Sequence, residues 1–524
     1  MLFNSWAFVA FFLLVYGLYV SCWGLSNLAV SRGWTRLQRV IGERGYQAQN
    51  AILLPASLFF YAWFDWRFVI LLVATMLVDF WVARLMTQDR MGSTRKPLLL
   101  LSVISNLAIL GFFKYYDFFA ASVGAGLRSL GFEVSDFTLD LILPWGISFY
   151  TFQSLSYTIE VYRRQLAPKM SPGRWGLLKD FTEFALFISF FPHLVAGPIM
   201  RATSLLPQVQ TPRRVTAGDI DAGLWLIIWG FFKKIVIADR AAGIANEVFN
   251  HWQAHSGVDI VIGALAFAVQ IYCDFSAYTD IARGTARLMG FDIVINFKLP
   301  YFALNPSDFW RRWHISLSSW LRDYLYIPLG GNRKGPMRTN INLFITMLLG
   351  GLWHGAAWNF VIWGAFHGLL LILYRPFTPK DLDASPPRTI AGFLNTTLAM
   401  SIMFVLTLIG WVIFRAVGVE AAPGVPASTS TQQIWGMFTS VGFETTQTVQ
   451  AASGQRLGTL AMLIPLAWVI APLLLVQIIQ HHTRDLMAPA RMHPLVKGPV
   501  YALMLAIITV FGVRESVEFI YFQF

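Results

Sequence analysis

Three of the nine histidines, His314, His354 and His367, lie within residues 300–368, where a polar segment meets an apolar one. The first half, PYFALNPSDFWRRWHISLSSWLRDYLYIPLGGNRKG, carries too many charges for an ordinary membrane span. The second half is too apolar for a loop in water. Because imidazole is the side chain best suited to proton transfer near neutral pH, we expect the chemistry of this protein at this junction.

His354 belongs to an apolar segment that follows a basic one, and we predict a helix from about Asn340. A rise of about 1.5 Å per residue places His354 roughly 20 Å along that helix, deep within a hydrocarbon core about 30 Å thick. An ionisable side chain at such a depth is a candidate functional residue. The structural alternative is a neutral imidazole hydrogen-bonded inside the bundle. Gly351 and Gly355 permit close backbone approach, and Trp353 would wall a pocket, so we favour function.

His314 lies in the segment WRRWHISLSSWLRDYLY, which we predict as one amphipathic helix. Trp313 belongs to an aromatic face at helical spacing, which is typical of a helix at the membrane interface. That interpretation leaves His314 and the nearby Asp308 unexplained. Arg311 and Arg312 point away from the aromatic face, and arginine binds phosphate groups well. We therefore predict that this basic segment suits an anionic acyl donor, such as a nucleotide-bearing thioester.

Two carboxylates end another apolar segment, YCDFSAYTDIARG. Asp274 shares a helix face with Tyr278, and Asp280 shares one with Ser276, because each pair is one turn apart. Carboxylates near a membrane boundary need partners. We favour an internal polar network that ties spans together, and a role in a substrate funnel remains the alternative.

The other histidines and the cysteines match no recognised site. His251 and His255 are four residues apart but lack a Glu between them and a third ligand nearby, so we predict no metal site there. Two cysteines without a CxxC motif provide no thiol-rich metal site. No GxSxG elbow, HExxH, Walker motif or GxGxxG after a strand occurs. A His-centred membrane enzyme and a transporter with buried polar groups both remain.

The framework that positions these residues is membrane-embedded. The chain has 524 residues, 56% of them hydrophobic and 13% charged, whereas soluble proteins carry about 25% charged residues. Apolar runs of span length recur from end to end, and the alternation of a membrane barrel is absent. We therefore predict an all-α, polytopic membrane protein forming one domain over residues 1–524, with core motifs in 141–375. Basic cytoplasmic loops explain the net charge of +12 better than nucleic-acid binding does.

About twelve spans are predicted, at residues 6–23, 51–64, 68–85, 98–113, 141–157, 222–237, 258–282, 341–355, 357–374, 391–414, 457–479 and 500–513. Two further segments, 181–199 and 302–329, contain Pro, Gly or many charges and are predicted to be re-entrant or interfacial. Loops rich in Lys and Arg are assigned to the cytoplasm, and loops 115–137 and 416–456 to the outside. The N-terminus, which precedes the first basic residue, is then outside the cytoplasm. Lys233 and Lys234 do not fit, since they fall near the outer end of their span.

Several segments, in this order, resemble the membrane-bound O-acyltransferase family, and specifically its bacterial branch. They are PWGISFYTFQ from Pro144, FPHLVAGP from Phe191, DFSAYTD from Asp274, the segment from Phe309 to Gly331, GGLWHG from Gly350, and the terminal FIYFQF. The resemblance covers most of the chain from about residue 51 to residue 414, together with the C-terminal end.

The resemblance implies a helical fold with a central funnel, with His354 as the essential catalytic residue and His314 as the second histidine. It implies transfer of an acyl group from a cytoplasmic thioester, such as acyl-coenzyme A, across the membrane. The usual recipient is a periplasmic, esterase-like (SGNH) acetyltransferase that modifies an exported polysaccharide such as alginate. No bound cofactor or metal is expected, and membrane lipids surround the protein. The candidate donor-binding or funnel residues are Asp308, Arg311, Arg312, Trp313, Trp353, Asp274 and Asp280.

In the mechanism we favour, His354 is the general base that accepts the proton of the acceptor hydroxyl, and His314 orients the donor or relays protons. A transporter or flippase that uses His354 as a substrate or proton site remains an alternative. A second alternative is an acyltransferase that acts on a membrane lipid, a lipidated peptide or a cell-wall polymer. Hydrolysis of an acyl donor by the purified protein would separate an enzyme from a transporter.

Overall fold

The computed structural model describes residues 1–31, 45–89, 92–135, 137–378, 389–419, 426–442, 459–512 and 519–520, with side chains described only to residue 21 in the first range. Within these ranges the secondary structure is helical, apart from one isolated antiparallel bridge between Val419 and Ser428. The predicted all-α class is confirmed. The predicted basic loop at residues 32–44 and the last four residues of the terminal motif lie outside the described residues.

Two compact units make up the chain: Met1–Ile227 with Tyr278–Val294, and Ile228–Ala277 with Ile295–Phe524. The organisation as one domain over residues 1–524 stays a prediction. The helices of the first unit are α1 (Trp6–Ser31), α2 (Gly45–Ala62), α3 (Arg67–Gln88), α4 (Arg95–Leu110), α5 (Tyr116–Ser129), α6 (Ile147–Tyr162), α7 (Gly173–Ser189), α8 (Ala202–Val209) and α9 (Ala217–Phe231, as far as Ile227). In this unit α2 packs against α1 and α7, and α3 packs against α4 and α6.

Two buried polar groups of the first unit are hydrogen-bonded to neighbouring segments. Asp79 on α3 is fully buried and accepts hydrogen bonds from Ser102 Oγ (2.6 Å) and Asn106 Nδ2 (3.0 Å) on α4. Arg213 donates to the carbonyl of Val209 and to Asn50 Oδ1, at 3.1 and 2.8 Å. Such pairing is required where no water reaches the polar groups.

The second unit contains the segment predicted to carry the chemistry. Its helices are the π-helical turn Phe232–Ala238, α10 (Asp239–Asn250), α11 (Gly257–Leu288, as far as Ala277), α12 (Pro306–Arg312), α13 (Ile315–Leu321), α14 (Gly335–His354), α15 (Trp358–Tyr374), α16 (Ile390–Arg415), α17 (Ser430–Gly442), α18 (Thr459–Thr483) and α19 (Pro494–Phe511). Helices α14 and α15 form a hairpin, and α15 also packs against α12 and α16.

Small residues bring α14 and α15 into close contact. A Cβ added at Gly351 would collide with the carbonyl oxygen of Phe360, and one at Gly364 would lie 2.5 Å from the carbonyl oxygen of Met347. Small residues at helix interfaces allow this close approach within membranes. The contact fixes the tip of the hairpin, where α14 ends at His354.

Seven helical segments among the described residues are long and apolar enough to cross a membrane, and each overlaps a predicted span. They are Arg67–Gln88, Arg95–Ser129, Gly257–Leu288, Trp358–Phe377, Ile390–Arg415, Thr459–Thr483 and Pro494–Phe511. One of them, Arg95–Ser129, continues past the predicted end at residue 113, so the loop predicted from residue 115 was wrong over the helix Tyr116–Ser129. The total of about twelve spans stays a prediction.

Three predicted segments differ in their helical detail. The span predicted at 141–157 was wrong in its first residues, because the helix begins only at Ile147, after Pro144 and a left-handed Gly146 with φ of 76°. Helix α7 ends at Ser189 within the predicted 181–199 segment. The 302–329 segment is broken into short helices. The irregularity of the last two segments agrees with the prediction, whereas their depth in a membrane stays a prediction.

Candidate functional site

The segment that carries His314 is broken at the histidine. Helix α12 ends at Arg312, α13 begins at Ile315, and His314 between them has a left-handed backbone with φ of 42°. Such a conformation costs a non-glycine residue about 1–3 kcal/mol. Asn296 holds the turn, because its carbonyl accepts from Ile315 N at 2.9 Å and its side chain from Ser316 N at 3.3 Å. The predicted single helix was therefore wrong, because a turn at His314 separates two short helices, and Asn296 accepts hydrogen bonds from the backbone that follows this turn.

The imidazole of His314 is fully buried against aromatic rings. The Phe275 ring meets it nearly at right angles, with centroids 4.7 Å apart. The Trp353 ring lies 5.8 Å away. His314 is thus fixed by the backbone on both sides and by rings from α11 and α14.

His354 is the last residue of α14, followed by an extended Gly355, and its side chain is buried. The helix begins at Gly335, so the predicted start near Asn340 was wrong; the Gly335-Pro336 pair initiates the helix earlier, since Pro suits the first turn. Its 20 residues extend about 30 Å. His354 therefore lies at the end of the helix opposite the basic residue Lys334.

The two histidines face each other in the same unit. Their ring centroids are 6.3 Å apart at an interplanar angle of 53°, and Trp353 contacts both rings. Trp363 of α15 and Phe414 of α16 lie against His354 at 5.1 and 5.5 Å. These aromatic rings surround a pair of imidazoles in an enclosed site, which is an arrangement suited to proton transfer away from bulk water.

His367 belongs to the same aromatic cluster. It is buried on α15, and its ring lies 4.7 Å from Trp363 and 5.2 Å from Trp310. Phe309 stacks on it at 5.9 Å with an angle of 8°. Within the described part of the chain its Nδ1 has no hydrogen-bond partner. His367 is therefore a matched buried imidazole with which to compare His354.

Two of the predicted donor-binding residues have local structural partners. Asp308 lies in the first turn of α12, where its N–H donates to Asn305 Oδ1 at 2.9 Å and its carboxylate accepts from Leu304 N at 3.1 Å. Arg312 Nε donates to the same carboxylate at 2.7 Å. Arg311 is exposed. Of these residues, Arg311 is the one whose charge faces solvent for an anionic ligand.

Trp313 is a core residue of the second unit. Its ring is buried and packs on Trp411 at 4.8 Å and on Phe297 at 5.0 Å. Phe309 stacks on it at 5.7 Å with an angle of 11°. The structure gives it a packing role beside the site, whereas Trp353 contacts both histidines.

Asp274 lies in a buried ionic network, as the favoured interpretation predicted. Lys234 Nζ lies 2.9 Å from Asp274 and 2.8 Å from Asp239. The second carboxylate oxygen of Asp274 accepts from Ile520 N at 2.7 Å. Lys233 Nζ donates to Ser276 Oγ at 2.8 Å. The lysine pair that did not fit the charge pattern is thus buried and bonded inside the protein.

Asp280 lies in the first unit, where its carboxylate is 3.4 Å from Arg283 one turn along the helix. In the second unit, His251 and His255 both lie near Glu247, at 3.5 and 3.7 Å. Over the described ranges, no group of three or more His, Cys, Asp or Glu side chains is arranged to hold a metal ion.

Three residues that contact the histidines were missed as site residues from the sequence: Phe275, Trp363 and Phe414. Trp363 lies in the aromatic-rich run NFVIWGAFHG, and Phe275 directly follows Asp274, so both had a local signal. Phe414 had none, because it reaches His354 only through the packing of α16 on α15.

Comparison with known proteins places this site in a family. The model of the membrane-bound O-acyltransferase family matches residues 176–410. The chain is 43% identical over 381 residues to a Pseudomonas putida protein described as a probable alginate O-acetylase AlgI, covering 72% of this chain and 74% of the relative. It is 38% identical over 387 residues to a peptidoglycan O-acetyltransferase of Helicobacter pylori, covering 71% of each.

A more distant relative is a teichoic acid D-alanyltransferase of Bacillus subtilis, 30% identical over 294 residues, covering 52% of this chain and 69% of the relative. The matched region of the family model includes His314, His354 and the hairpin that positions His354. Because the chain is 43% identical to the Pseudomonas putida relative over more than two thirds of both chains, the protein belongs to the membrane-bound O-acyltransferase family and is a multi-pass membrane acyltransferase.

Proposed function

We propose that this protein moves an acetyl group from a cytoplasmic acyl thioester across the bacterial inner membrane for O-acetylation of an exported polysaccharide. The observation that carries the proposal is the enclosed pair of His314 and His354, 6.3 Å apart. Because the family consists of acyltransferases, acyl transfer is the reaction that we assign to this pair. The relatives named for alginate and peptidoglycan O-acetylation support acetyl as the transferred group and a polymer as its destination.

The transfer requires one proton to move twice. The acceptor hydroxyl oxygen attacks the thioester carbonyl carbon, and a carbon–oxygen bond forms as the carbon–sulfur bond breaks. His354 accepts the hydroxyl proton and returns it to the leaving thiolate, so the balance of protons is zero. His354 is buried, so bulk water does not compete with the acceptor hydroxyl for its imidazole. His314 orients the thioester beside it or relays the proton.

Charge determines which part of the donor enters the site. A nucleotide thioester is multiply anionic and cannot cross the hydrocarbon core, whereas an acetyl group is uncharged. The exposed Arg311, three residues before His314 in the chain, suits the donor phosphates at a cytoplasmic mouth. Only the acyl end of the donor then needs to reach His354. In this orientation the N-terminus is periplasmic.

The acceptor side requires a second protein or the polymer itself. A periplasmic, esterase-like acetyltransferase would carry the acetyl group onto the exported chain, and alginate is the first candidate, since the 43% identical relative is named for it. Peptidoglycan is the second candidate, because a 38% identical relative is named for that polymer. Labelled acetate recovered in one polymer and not in the other would decide between them.

The direct test is release of coenzyme A from labelled acetyl-coenzyme A by the purified protein in proteoliposomes. His354→Ala should lower the rate about 10²–10⁴-fold, the usual contribution of a general base. His354→Gln should be equally inactive, because an amide cannot take up the proton. His367→Ala is the matched control, since His367 is equally buried and contacts the same Trp363. It should keep most of the activity.

Three results would contradict the proposal. Restoration of activity by His354→Gln would make His354 a hydrogen-bonding support rather than a base. Translocation of a substrate without thiol release by the wild type would favour a transporter. A reversed pattern, with His367→Ala inactive and His354→Ala active, would move the reaction to the other side of the aromatic cluster.

A further inference from the structure

We propose that Phe414 and Trp363 limit the transferred acyl group to about two carbons. The inference rests on the proposed function, in which the acyl carbonyl is attacked beside His354, and it adds the substrate size that the site accepts. It depends on two observations: the rings around His354, and the bonds and contacts that hold them.

Three aromatic rings lie directly against the His354 imidazole. The centroids of Trp353 and Trp363 are each 5.1 Å away, and that of Phe414 is 5.5 Å away. Their interplanar angles of 80°, 88° and 76° place the rings as walls around the imidazole. The neighbouring ring of His314 is farther, at 6.3 Å. Rings from three residues therefore lie at contact distance from His354, and the His314 ring is the more distant neighbour.

The wall formed by Phe414 is held in place through its backbone. Asn359 Nδ2 donates to the Phe414 carbonyl at 2.7 Å, which ties the end of α16 to the start of α15. The next residue, Arg415, donates to Asn246 Oδ1 on α10 at 2.9 Å. Phe414 itself is 1% exposed. These bonds fix the backbone that carries the Phe414 ring, and the ring itself is buried among its neighbours.

The second wall is supported by other rings. Trp363 is 1% exposed and lies 5.2 Å from Phe414. Trp411 stacks beside it with centroids 6.1 Å apart at 19°. Interiors packed in this way do not yield to added volume without cost. Trp363 and Phe414 thus form one continuous surface.

The geometry of the reaction directs the acyl chain toward this surface. During transfer the carbonyl carbon carries the attacking oxygen, the departing sulfur and the carbonyl oxygen. The acyl chain takes the remaining direction, and we place it against Trp363 and Phe414 because their rings lie at contact distance from His354. The methyl of an acetyl group needs little space there. Each further methylene that a closed pocket rejects changes kcat/KM by roughly 10–200-fold.

The experiment compares acetyl-, propionyl- and butyryl-coenzyme A as donors for the full-length protein in proteoliposomes, with thiol release as the readout. For the wild type, kcat/KM should fall at least about tenfold with each added methylene. Phe414→Leu and Trp363→Leu should each raise the butyryl-to-acetyl ratio of kcat/KM by about tenfold or more, because each removes part of the wall. A loss of activity from general misfolding would lower both rates together and leave this ratio unchanged.

Phe267→Leu is the matched control. Phe267 is fully buried and lies 6.4 Å from Phe414, but it makes no ring contact with His354. Its variant should keep the wild-type ratio. Equal use of the three donors by the wild type overturns the size limit and leaves the proposed function standing, as does a wild-type ratio in both wall variants. Release of thiol from no donor overturns the proposed function and this inference with it.

Discussion

Replacement of Lys234 with Met should destabilise the protein more than replacement of either carboxylate beside it. Lys234 Nζ lies 2.8 Å from Asp239 and 2.9 Å from Asp274, and all three side chains are at most 9% exposed. Lys234→Met leaves two buried carboxylates without this cation. Asp274→Asn leaves the bond between Lys234 and Asp239 in place, and the new amide oxygen can still accept from Ile520 N.

The expected magnitudes follow from those partners. Removing one side of a buried ion pair costs about 3–5 kcal/mol, because the remaining charge is uncompensated, so Lys234→Met should reach or exceed this range. Asp274→Asn loses one charge-assisted hydrogen bond and should cost about 1.5–3 kcal/mol. The double variant keeps one uncompensated carboxylate, that of Asp239, instead of two. It should therefore be more stable than Lys234→Met alone.

The assay is thermal unfolding of the purified variants in one detergent, with membrane levels measured alongside. Arg67→Gln is the control, because it breaks an ion pair with Asp65 whose arginine is 63% exposed, and such pairs contribute little. The reasoning is refuted if Lys234→Met is no less stable than Asp274→Asn. It is also refuted if the two substitutions add in the double variant, since residues of one network should couple.

Other expectations concern packing, donor binding and topology. Gly351→Val should lower membrane levels sharply, because even its Cβ would meet a carbonyl of the returning helix; normal levels would contradict the close hairpin. Arg311→Gln should raise the KM for acetyl-coenzyme A with little change in stability, whereas Arg312→Gln should lower the unfolding temperature because it breaks a buried bond; the opposite pattern would exchange their roles. In a cysteine-free background, a cysteine at Ser129 should react with an impermeant thiol reagent added to intact cells and one at Ser93 should not; labelling at Ser93 would reverse the predicted orientation.

Two local interpretations of the sequence illustrate where it was insufficient. The aromatic spacing around His314 is that of an amphipathic helix, yet the chain turns at His314 because Asn296 bonds to the backbone on its far side. The charges of Lys233 and Lys234 contradicted the predicted sidedness of their span. Both lysines are buried. Lys234 pairs with two carboxylates and Lys233 donates to Ser276, so both side chains bond inside the protein and do not mark a cytoplasmic loop.

The sequence by itself determined that the protein is a bundle of membrane helices and that His354 and His314 are the residues to test. The length of an apolar run and the rarity of an ionisable side chain within it are local properties, readable from neighbouring residues. Only the tertiary structure decided that these imidazoles lie 6.3 Å apart, that the Phe414 ring lies 5.5 Å from His354, and that Ile520 bonds to Asp274 across 246 residues of chain. Those distances depend on how separate helices pack. Packing requires many side chains from distant parts of the sequence to fit together, and the pattern of neighbouring residues does not contain that information.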